Sequence, residues 1–463
     1  MKKIILIFLF TILLISSSCF YSCQSGLDVD PTPDNVVDEQ NAITNIRELE
    51  AAINGIYDGL QNENYYGQYY TLWPDLAADN LRWTGSFITN REVDIRRILA
   101  TNVTVFEIWR RLYSTINRAN RVIDAIERVP GINAESKKQY LGEARFLRAL
   151  AHFDLVRLYA KPYNNSTATS DLGVPIIKKA TYTIAQASEG VTRNTVAEVY
   201  DFVIQELLAC EELLTDAFFP KRASSIAAKA LLARVYLYKQ DWQKAEAKAT
   251  EVINLMPPLT TRYQDIYQVK NSNEAIFELQ FLNNDPNYLA FWLFPAEYGG
   301  RHEYEPTEEL FMAYQENDLR LAFNLVPADT LNSIPPFAKK YYRIATNDDN
   351  CHILRLAEQY LIRAEARAQQ NNLSGALEDL NAVRLRAGLQ EASADTQAEV
   401  LRLVEKERQC ELAFEGHRWF DLVRTGRAEE VLGISPQERF RLVFPIPQAE
   451  IVRNPKLVQN PGY

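Results

Sequence analysis

Ala223–Met256 reads ASSIAAKALLARVYLYKQDWQKAEAKATEVINLM, and Ile353–Ala387 reads ILRLAEQYLIRAEARAQQNNLSGALEDLNAVRLRA. In each stretch apolar and small residues recur every three or four positions, break at a short polar turn, and resume. The first stretch predicts helices over Ala223–Lys239 and Asp241–Met256, and the second over Ile353–Gln369 and Ser374–Ala387. Overlaid, the two agree in kind: Ala233 falls on Ala364, Trp242 on Leu373 and Ala245 on Ala376. Small residues at fixed points, with a bulky residue at the turn, mark paired antiparallel helices.

Such pairs resemble tetratricopeptide units, interrupted here because the period is not continuous. Ser136–Ala160 places Leu141, Ala144, Leu147, Leu150, Ala151, Leu155 and Leu158 at helical spacing and stops at Lys161-Pro162, where proline cannot continue a helix. Asn194-Thr195-Val196-Ala197-Glu198 combines a polar cap with a first-turn acid and predicts a helix to about Leu214. A last long helix is predicted from Ala398 to about Thr425. Ala275–Phe281 and Leu442–Ile446 read as short strands. Loop-rich insertions occupy Tyr65–Phe87, Tyr163–Arg193, Pro257–Arg301 and Pro327–Asp349. The expected fold is mostly α, a tetratricopeptide-like helical repeat scaffold with long loops and a few short strands. The scaffold is expected over about 100–256 and 353–425, with ligand-binding loops over about 60–95 and 257–349, all in one domain, 23–463.

The chain has 463 residues, 47% hydrophobic and 24% charged, which is ordinary globular composition with ample material for a core. That excludes disordered and collagen-like classes, and five cysteines in this length cannot form a disulfide scaffold. A net charge of -10 argues against a nucleic-acid footprint, because nothing on average offsets phosphate repulsion. Tyrosine is the most numerous aromatic, 24 against 21 Phe and 6 Trp, and tyrosine serves contact surfaces as well as cores.

The N-terminus runs Met1-Lys2-Lys3, then apolar from Ile4 to Ile15, then Ser16-Ser17-Ser18-Cys19-Phe20-Tyr21-Ser22-Cys23. A basic start, a short apolar run and small residues with cysteine make a secretory signal over residues 1–22. A membrane span needs about 20 apolar residues. A cysteine ending such a signal resembles a bacterial lipoprotein acceptor, and two compete for the role. Cys19 follows Ser-Ser-Ser, while Cys23 follows Phe-Tyr-Ser and precedes Gln24-Ser25-Gly26-Leu27-Asp28-Val29-Asp30-Pro31. Of the other cysteines, Cys210 and Cys410 sit in helical patterns as small hydrophobes. A disulfide between two of Cys210, Cys351 and Cys410 is compatible with the sequence.

Taken in order, several segments carry a resemblance. They are Leu27-Asp28 with Pro31, Gly142-Glu143-Ala144-Arg145-Phe146-Leu147-Arg148-Ala149, Ala233-Arg234-Val235-Tyr236-Leu237-Tyr238, and Ala357 through Ala366. Asn381-Ala382-Val383-Arg384-Leu385-Arg386-Ala387-Gly388 follows, then Glu407-Arg408, Glu411-Leu412 and Glu415-Gly416-His417-Arg418-Trp419-Phe420-Asp421-Leu422 with Arg424. The chain closes on Phe444-Pro445-Ile446-Pro447 and Gln459-Asn460-Pro461-Gly462-Tyr463. In this order they resemble the SusD/RagB family of outer-membrane lipoproteins of Bacteroidetes along nearly the whole chain. The resemblance favours Cys23 as the lipidated residue. It implies a lipid-anchored, surface-exposed outer-membrane protein that partners a SusC-type TonB-dependent transporter. The ligand it implies is an oligosaccharide or, as in the RagB branch, an oligopeptide. The chain is short for the family, and Gln24-Ser25-Gly26 stand where acidic residues often follow the lipid cysteine.

Catalytic patterns are missing. His152, His302, His352 and His417 have no metal-ligand spacing, and neither a phosphate loop nor a nucleophile elbow occurs. The expectation is a non-enzyme without cofactor or metal ligands. Asn347-Asp348-Asp349-Asn350 offers oxygen ligands for a structural calcium, although a solvated polar loop explains it more simply. Glu143, Arg145, Glu365, Arg384, Arg386, Glu411, Glu415, Arg418 and Asp421 lie on amphipathic helices and read as ion pairs locking repeat to repeat.

A sugar ring presents an apolar CH face rimmed by hydroxyls, so its site needs flat aromatic platforms beside planar donors and acceptors. Two regions supply both: Tyr65 through Trp73 leading to Asp79-Asn80-Leu81-Arg82-Trp83, and Asn287 through Phe294 followed by Tyr298-Gly299-Gly300-Arg301. Trp83 with Asn80 and Arg82 is the first candidate contact set, and Trp292 with Tyr298 the second. Trp73 is equally readable as platform or core. Three functions fit: oligosaccharide capture, oligopeptide capture, and a structural lid with no ligand of its own.

Overall fold

A computed structural model describes residues 42–463. The candidate acceptors Cys19 and Cys23, the signal and Leu27-Asp28-Pro31 lie outside the described residues. Ile43–Tyr463 forms one compact unit, and it is mostly helical.

The scaffold is a train of helices, each packed on the next. They are α1 (Ile46–Gln61), α2 (Val103–Ala125), α3 (Ala134–Tyr159), α4 (Val196–Leu213), α5 (Ser225–Lys239), α6 (Trp242–Leu255), α7 (Leu356–Gln369), α8 (Leu373–Arg386) and α9 (Gln397–Glu411). Helix α1 packs on α2, so the scaffold begins earlier than expected; from there neighbours pair in sequence order through α8, and α9 returns against α7. The starts follow local chemistry. Asn102 caps α2, Asn133 α3 and Ser224 α5, while Thr195 with Glu198 and Thr396 with Glu399 form capping boxes on α4 and α9.

The two overlaid hairpins match in detail. Ala233, Ala364, Ala245 and Ala376 are all fully buried. Both turns pass through one left-handed residue, Gln240 at φ 62° and Asn371 at φ 62°. Asp241 and Asn372 then cap the following helices. A single αL residue reverses the chain and the next side chain starts the new helix, so the first turn needs two residues and the second three.

Three two-stranded antiparallel ribbons lie between the helical blocks: β1 (Leu81–Trp83) with β3 (Tyr304–Pro306), β2 (Ala275–Leu279) with β6 (Cys351–Arg355), and β4 (Leu325–Val326) with β5 (Phe337–Ala338). Three expectations are corrected. Residues 353–355 are strand β6, and Arg355 itself caps α7 in extended conformation. Pairing with β2 overrides the helical pattern there. The long helix 398–425 is two helices, α9 and Arg418–Arg424. Phe414 at φ 66° and Gly416 at φ 77° turn the chain between them, and a Cβ on Gly416 would sit 2.7 Å from the Tyr70 carbonyl oxygen. Leu442–Ile446 is not a ladder strand; Leu442 ends a 3-10 turn, and Phe444 donates one backbone bond to Leu158. Cys210, Cys351 and Cys410 are buried free thiols. No described helix is long and apolar enough to cross a membrane.

Candidate functional site

The antiparallel ribbon β1–β3 is the frame of the site. Its register pairs Leu81 with Pro306, Arg82 with Glu305 and Trp83 with Tyr304. Side chains alternate across a strand, so Leu81 and Trp83 point inward while Arg82 faces out and pairs with Glu305. The ribbon is moored from below. Arg418 grips Asp79 with two bonds of 2.7 Å, and Gln409 donates to Asn80 at 2.9 Å. Asn80 in turn donates to Asp75 at 2.6 Å.

Trp83 is only 4% exposed. Its ring meets Tyr304 edge-on at 5.0 Å, so it is a core residue under the ribbon and not an open platform. Asn80 is fully buried, with its amide committed as above. Trp73 lies in the helix Tyr69–Leu76, buried against Phe444, with its indole N–H donated to Asn90 at 2.8 Å. The aromatic run before it folds inward as well: the hydroxyls of Tyr65 and Tyr66 both donate to the carboxylate of Asp154, and that of Tyr70 to its backbone carbonyl. A buried carboxylate needs such donors. Trp73, Asn80 and Trp83 therefore hold the frame together; of the first candidate set, Arg82 alone reaches solvent.

The second region fares differently. Phe291 donates no side chain to the core but T-stacks on Trp292 at 5.5 Å and on Tyr288 at 6.2 Å. The backbone of Arg301 bonds to the Phe291 carbonyl, and that of Glu303 to the Trp292 carbonyl at 3.0 Å, pinning this turn against the short helix Leu289–Leu293. Gly300 makes the approach feasible, since a Cβ there would lie 1.9 Å from the Phe294 carbonyl oxygen. Glu303 accepts from the Arg301 guanidinium at 2.5 Å and orients it. That guanidinium then lies over Trp292 at 5.1 Å and over Phe87 at 5.2 Å.

The result is a surface on which the exposed Phe87 and Arg301 meet the half-buried Trp292, whose ring also packs on the core, with Phe291 and Tyr288 beside it. Phe87 is 47% exposed and Tyr298 48%. Tyr298 packs on Phe294 and Phe337 at the edge of the same turn. Flat apolar faces thus alternate with a fixed donor, which suits a ligand that is apolar on its faces and polar on its rim. Sequence reasoning placed Arg301 at the end of the second region without ranking it as a contact, and did not single out Phe87. The available signal for Phe87 was its place one short turn beyond an in–out strand. Arg301 required the fold, since its partners Phe87 and Glu303 flank the two strands of the ribbon, Phe87 after β1 and Glu303 just before β3.

In the four-residue segment Asn347–Asn350, three side chains have an oxygen occupied by the chain, while the Asn347 Oδ1 is buried without a hydrogen-bond partner. Asp348 accepts from Lys270 at 2.7 Å, Asp349 from the Arg343 backbone at 2.8 Å, and Asn350 from the Phe281 backbone at 2.8 Å. Burial pushes Asp349 up to about 6. No group of three or more His, Cys, Asp or Glu placed to hold a metal ion occurs among the described residues. The expected interhelical ion pairs are present: Glu143 with Arg222, Arg145 with Glu206, Glu365 with Arg424, and Asp421 with Arg408.

Comparison with known proteins agrees with this architecture. Residues 27–237 match a family model described as SusD-like, starch-binding associating with outer membrane, and residues 236–439 and 431–463 match the SusD family model. SusD-like protein P38 of Formosa agariphila is 27% identical, over the whole of both chains. SusD-like protein P2 of the same organism is 28% identical over 94% of this chain and 96% of its own. A crystal structure of a SusD superfamily protein from Bacteroides thetaiotaomicron superposes with a TM-score of 0.79 at 25% identity, covering 90% of this chain and all of that one. A laminarin-binding SusD-like protein superposes with a TM-score of 0.77 at 25% identity, covering 91% of this chain and all of that one. The ordered motifs, the helical scaffold and these matches converge: the chain belongs to the SusD/RagB family.

Proposed function

We propose that this protein captures oligosaccharides at the outer membrane and hands them to a SusC-type TonB-dependent transporter, without breaking a bond. In this reading the Phe87–Arg301–Trp292 surface is the sugar platform, with Tyr298 and Arg82 at its margins, and Cys23 carries the lipid that anchors the chain. The observation that carries it is a guanidinium lying over two aromatic rings, Phe87 exposed and Trp292 half-buried, at the protein surface. Exposed aromatics of this size leave apolar surface in water unless a ligand covers them. A sugar's CH face stacks on the rings while Arg301 donates to its hydroxyls. The laminarin-binding neighbour and the starch-binding description of the matched family support a saccharide over a peptide.

The test is calorimetric titration of the full-length protein against neutral glucan oligosaccharides and mixed oligopeptides, alongside a Trp292→Ala, Arg301→Ala double variant. Neutral saccharide should bind the wild type and weaken at least tenfold in the variant, with the melting temperature preserved; tenfold corresponds to about 1.4 kcal/mol. Peptide binding would turn the reading to the RagB kind of ligand. No binding of either class would leave a lid that acts only through its transporter.

A further inference from the structure

A second concavity lies away from the aromatic ribbon, between the turn at Trp242 and the helices α9 and Arg418–Arg424. Its volume is about 410 Å³, within the range of about 300–1,000 Å³ that small-ligand sites occupy. The motif Glu407-Arg408 and the stretch after Glu415, singled out in the sequence and unused by the platform, supply Arg408, Asp421 and Arg424 to its wall.

The guanidiniums around it differ sharply in how they are employed. Arg424 is spent on Glu365 and Asp421, and Arg427 on Glu405 and Glu430. Arg408 is 2% exposed and gives only its Nε to Asp421, at 2.8 Å; its Nη1 and Nη2 have no hydrogen-bond partner. Buried donors left unmade are costly, and charged ones most of all. Arg402 lines the same space from the exposed side and makes no ion pair among the described residues. An uncommitted cation at the mouth and, in the wall, a guanidinium whose unmade Nη donors are closed to solvent as the chain stands could receive an oxyanion once Arg408 turns those donors into the space, because guanidinium forks match such oxygens two at a time. Trp242 adds an aromatic wall beside them.

A second concavity of about 420 Å³ shares Arg402, Glu405 and Arg427 with the first. It is bounded on its other side by Asp79, just before β1, and by Met312, in the helix that follows β3. The two together make a groove that runs from Trp242 toward the foot of the ribbon.

We propose that this groove binds an acidic sugar unit, a uronate or a sulfated residue, with its oxyanion between Arg402 and Arg408 and its ring against Trp242. The proposal rests on the saccharide reading for the class of ligand but uses none of the platform's residues. The ribbon then selects for aromatic-compatible rings and the groove for charge.

The experiment titrates the full-length protein with three probes: a trigalacturonate, a sulfated disaccharide and a neutral trisaccharide. Wild type is compared with Arg402→Ala and Arg402→Glu, each checked for an unchanged melting temperature. At least one acidic probe should bind the wild type, about tenfold more weakly with Arg402→Ala and not measurably with Arg402→Glu. Which acidic probe binds tells carboxylate from sulfate. The proposal is overturned if neither acidic probe binds, if Arg402→Glu binds them as well as the wild type, or if triglutamate competes equally, which would make the ligand a peptide. The neutral trisaccharide reports on the ribbon alone, so its failure would sink the platform and leave the groove result standing.

Discussion

Arginine does opposite work in two regions of this molecule. Around α9 and the turn after it, Arg320, Arg355 and Arg386 converge on Glu411, and Arg355 and Lys340 on Glu415. All of these groups are buried, and each charge meets an opposite one. At the ribbon, Arg301 is held by one carboxylate and its broad faces are turned to Trp292 and Phe87 in contact with solvent. The residue type is the same, yet one set joins distant segments and the other presents a surface. What separates them is how many carboxylates the fold delivers to each guanidinium. Asp75 links the two regions, since its Oδ1 accepts from Asn80 at the ribbon's foot and from the Phe414 backbone at the turn.

The sharpest way to break this contrast is to remove the central acid. Glu411→Ala takes one carboxylate from each of three buried guanidiniums, leaving Arg320 with Asp318 and Glu407, Arg355 with Glu415 and Arg386 with Glu274, and should cost about 3 kcal/mol, read as a shift in denaturant midpoint. A loss within the error of a surface substitution would show that the cluster does not hold the fold. The same cluster sets an acid limb. Despite burial, Arg355 and Lys340 hold the Glu415 carboxyl down to about 2 from 4.5. Its stabilisation is complete above about pH 4.5 and disappears as pH falls toward 2. Urea midpoints of the wild type should decline over that window, and Glu415→Gln should flatten the decline.

Trp83→Ala tests the ribbon's inner side. As a buried ring it should cost about 3 kcal/mol in stability, whereas Trp292→Ala should cost far less and act on binding. Equal melting temperatures for the two variants would contradict the inward placement of Trp83.

Asp75 gives a smaller effect of opposite sign. Burial raises its carboxyl from 3.8 to about 6, and its Oδ2 has no partner. An acid raised in the folded state loses stability as pH climbs from 3.8 through 6. Asp75→Asn, which mimics the protonated form, should therefore stabilise more at pH 7 than at pH 4.5, by about 2 kcal/mol. A gain independent of pH would mean that the substitution acts by packing. The smallest change is expected for Tyr298→Ala, within about 0.5 kcal/mol in stability because the ring is half exposed. Its signature should be weaker saccharide binding; a variant that binds like wild type would remove Tyr298 from the platform.

Much of the scaffold was legible because helix signals are local. Alanine spacing, the Thr195–Glu198 box and the Lys161-Pro162 stop all act within a few residues of themselves, and the two hairpins fold as read apart from residues 353–355. The proposed platform was legible only in part. The aromatic regions were located, but Trp73, Trp83 and Asn80 turned inward while Phe87, not singled out, and Arg301, not ranked as a contact, faced solvent. A two-residue period says that Arg82 and Trp83 lie on opposite faces of β1, but not which face the rest of the chain will cover.

The sequence by itself determined the helical periodicity, the hairpin turns, the ordered motifs of the family and a net charge that argues against a nucleic-acid footprint. Only the tertiary structure decided that residues 353–355 pair as a strand, that the last helix breaks at Phe414 and Gly416, and which arginines are consumed. Those outcomes rest on contacts such as Arg418 with Asp79, 339 residues apart. Hydrogen-bond partners and burial at that separation are properties of the packed chain, and no local pattern carries them.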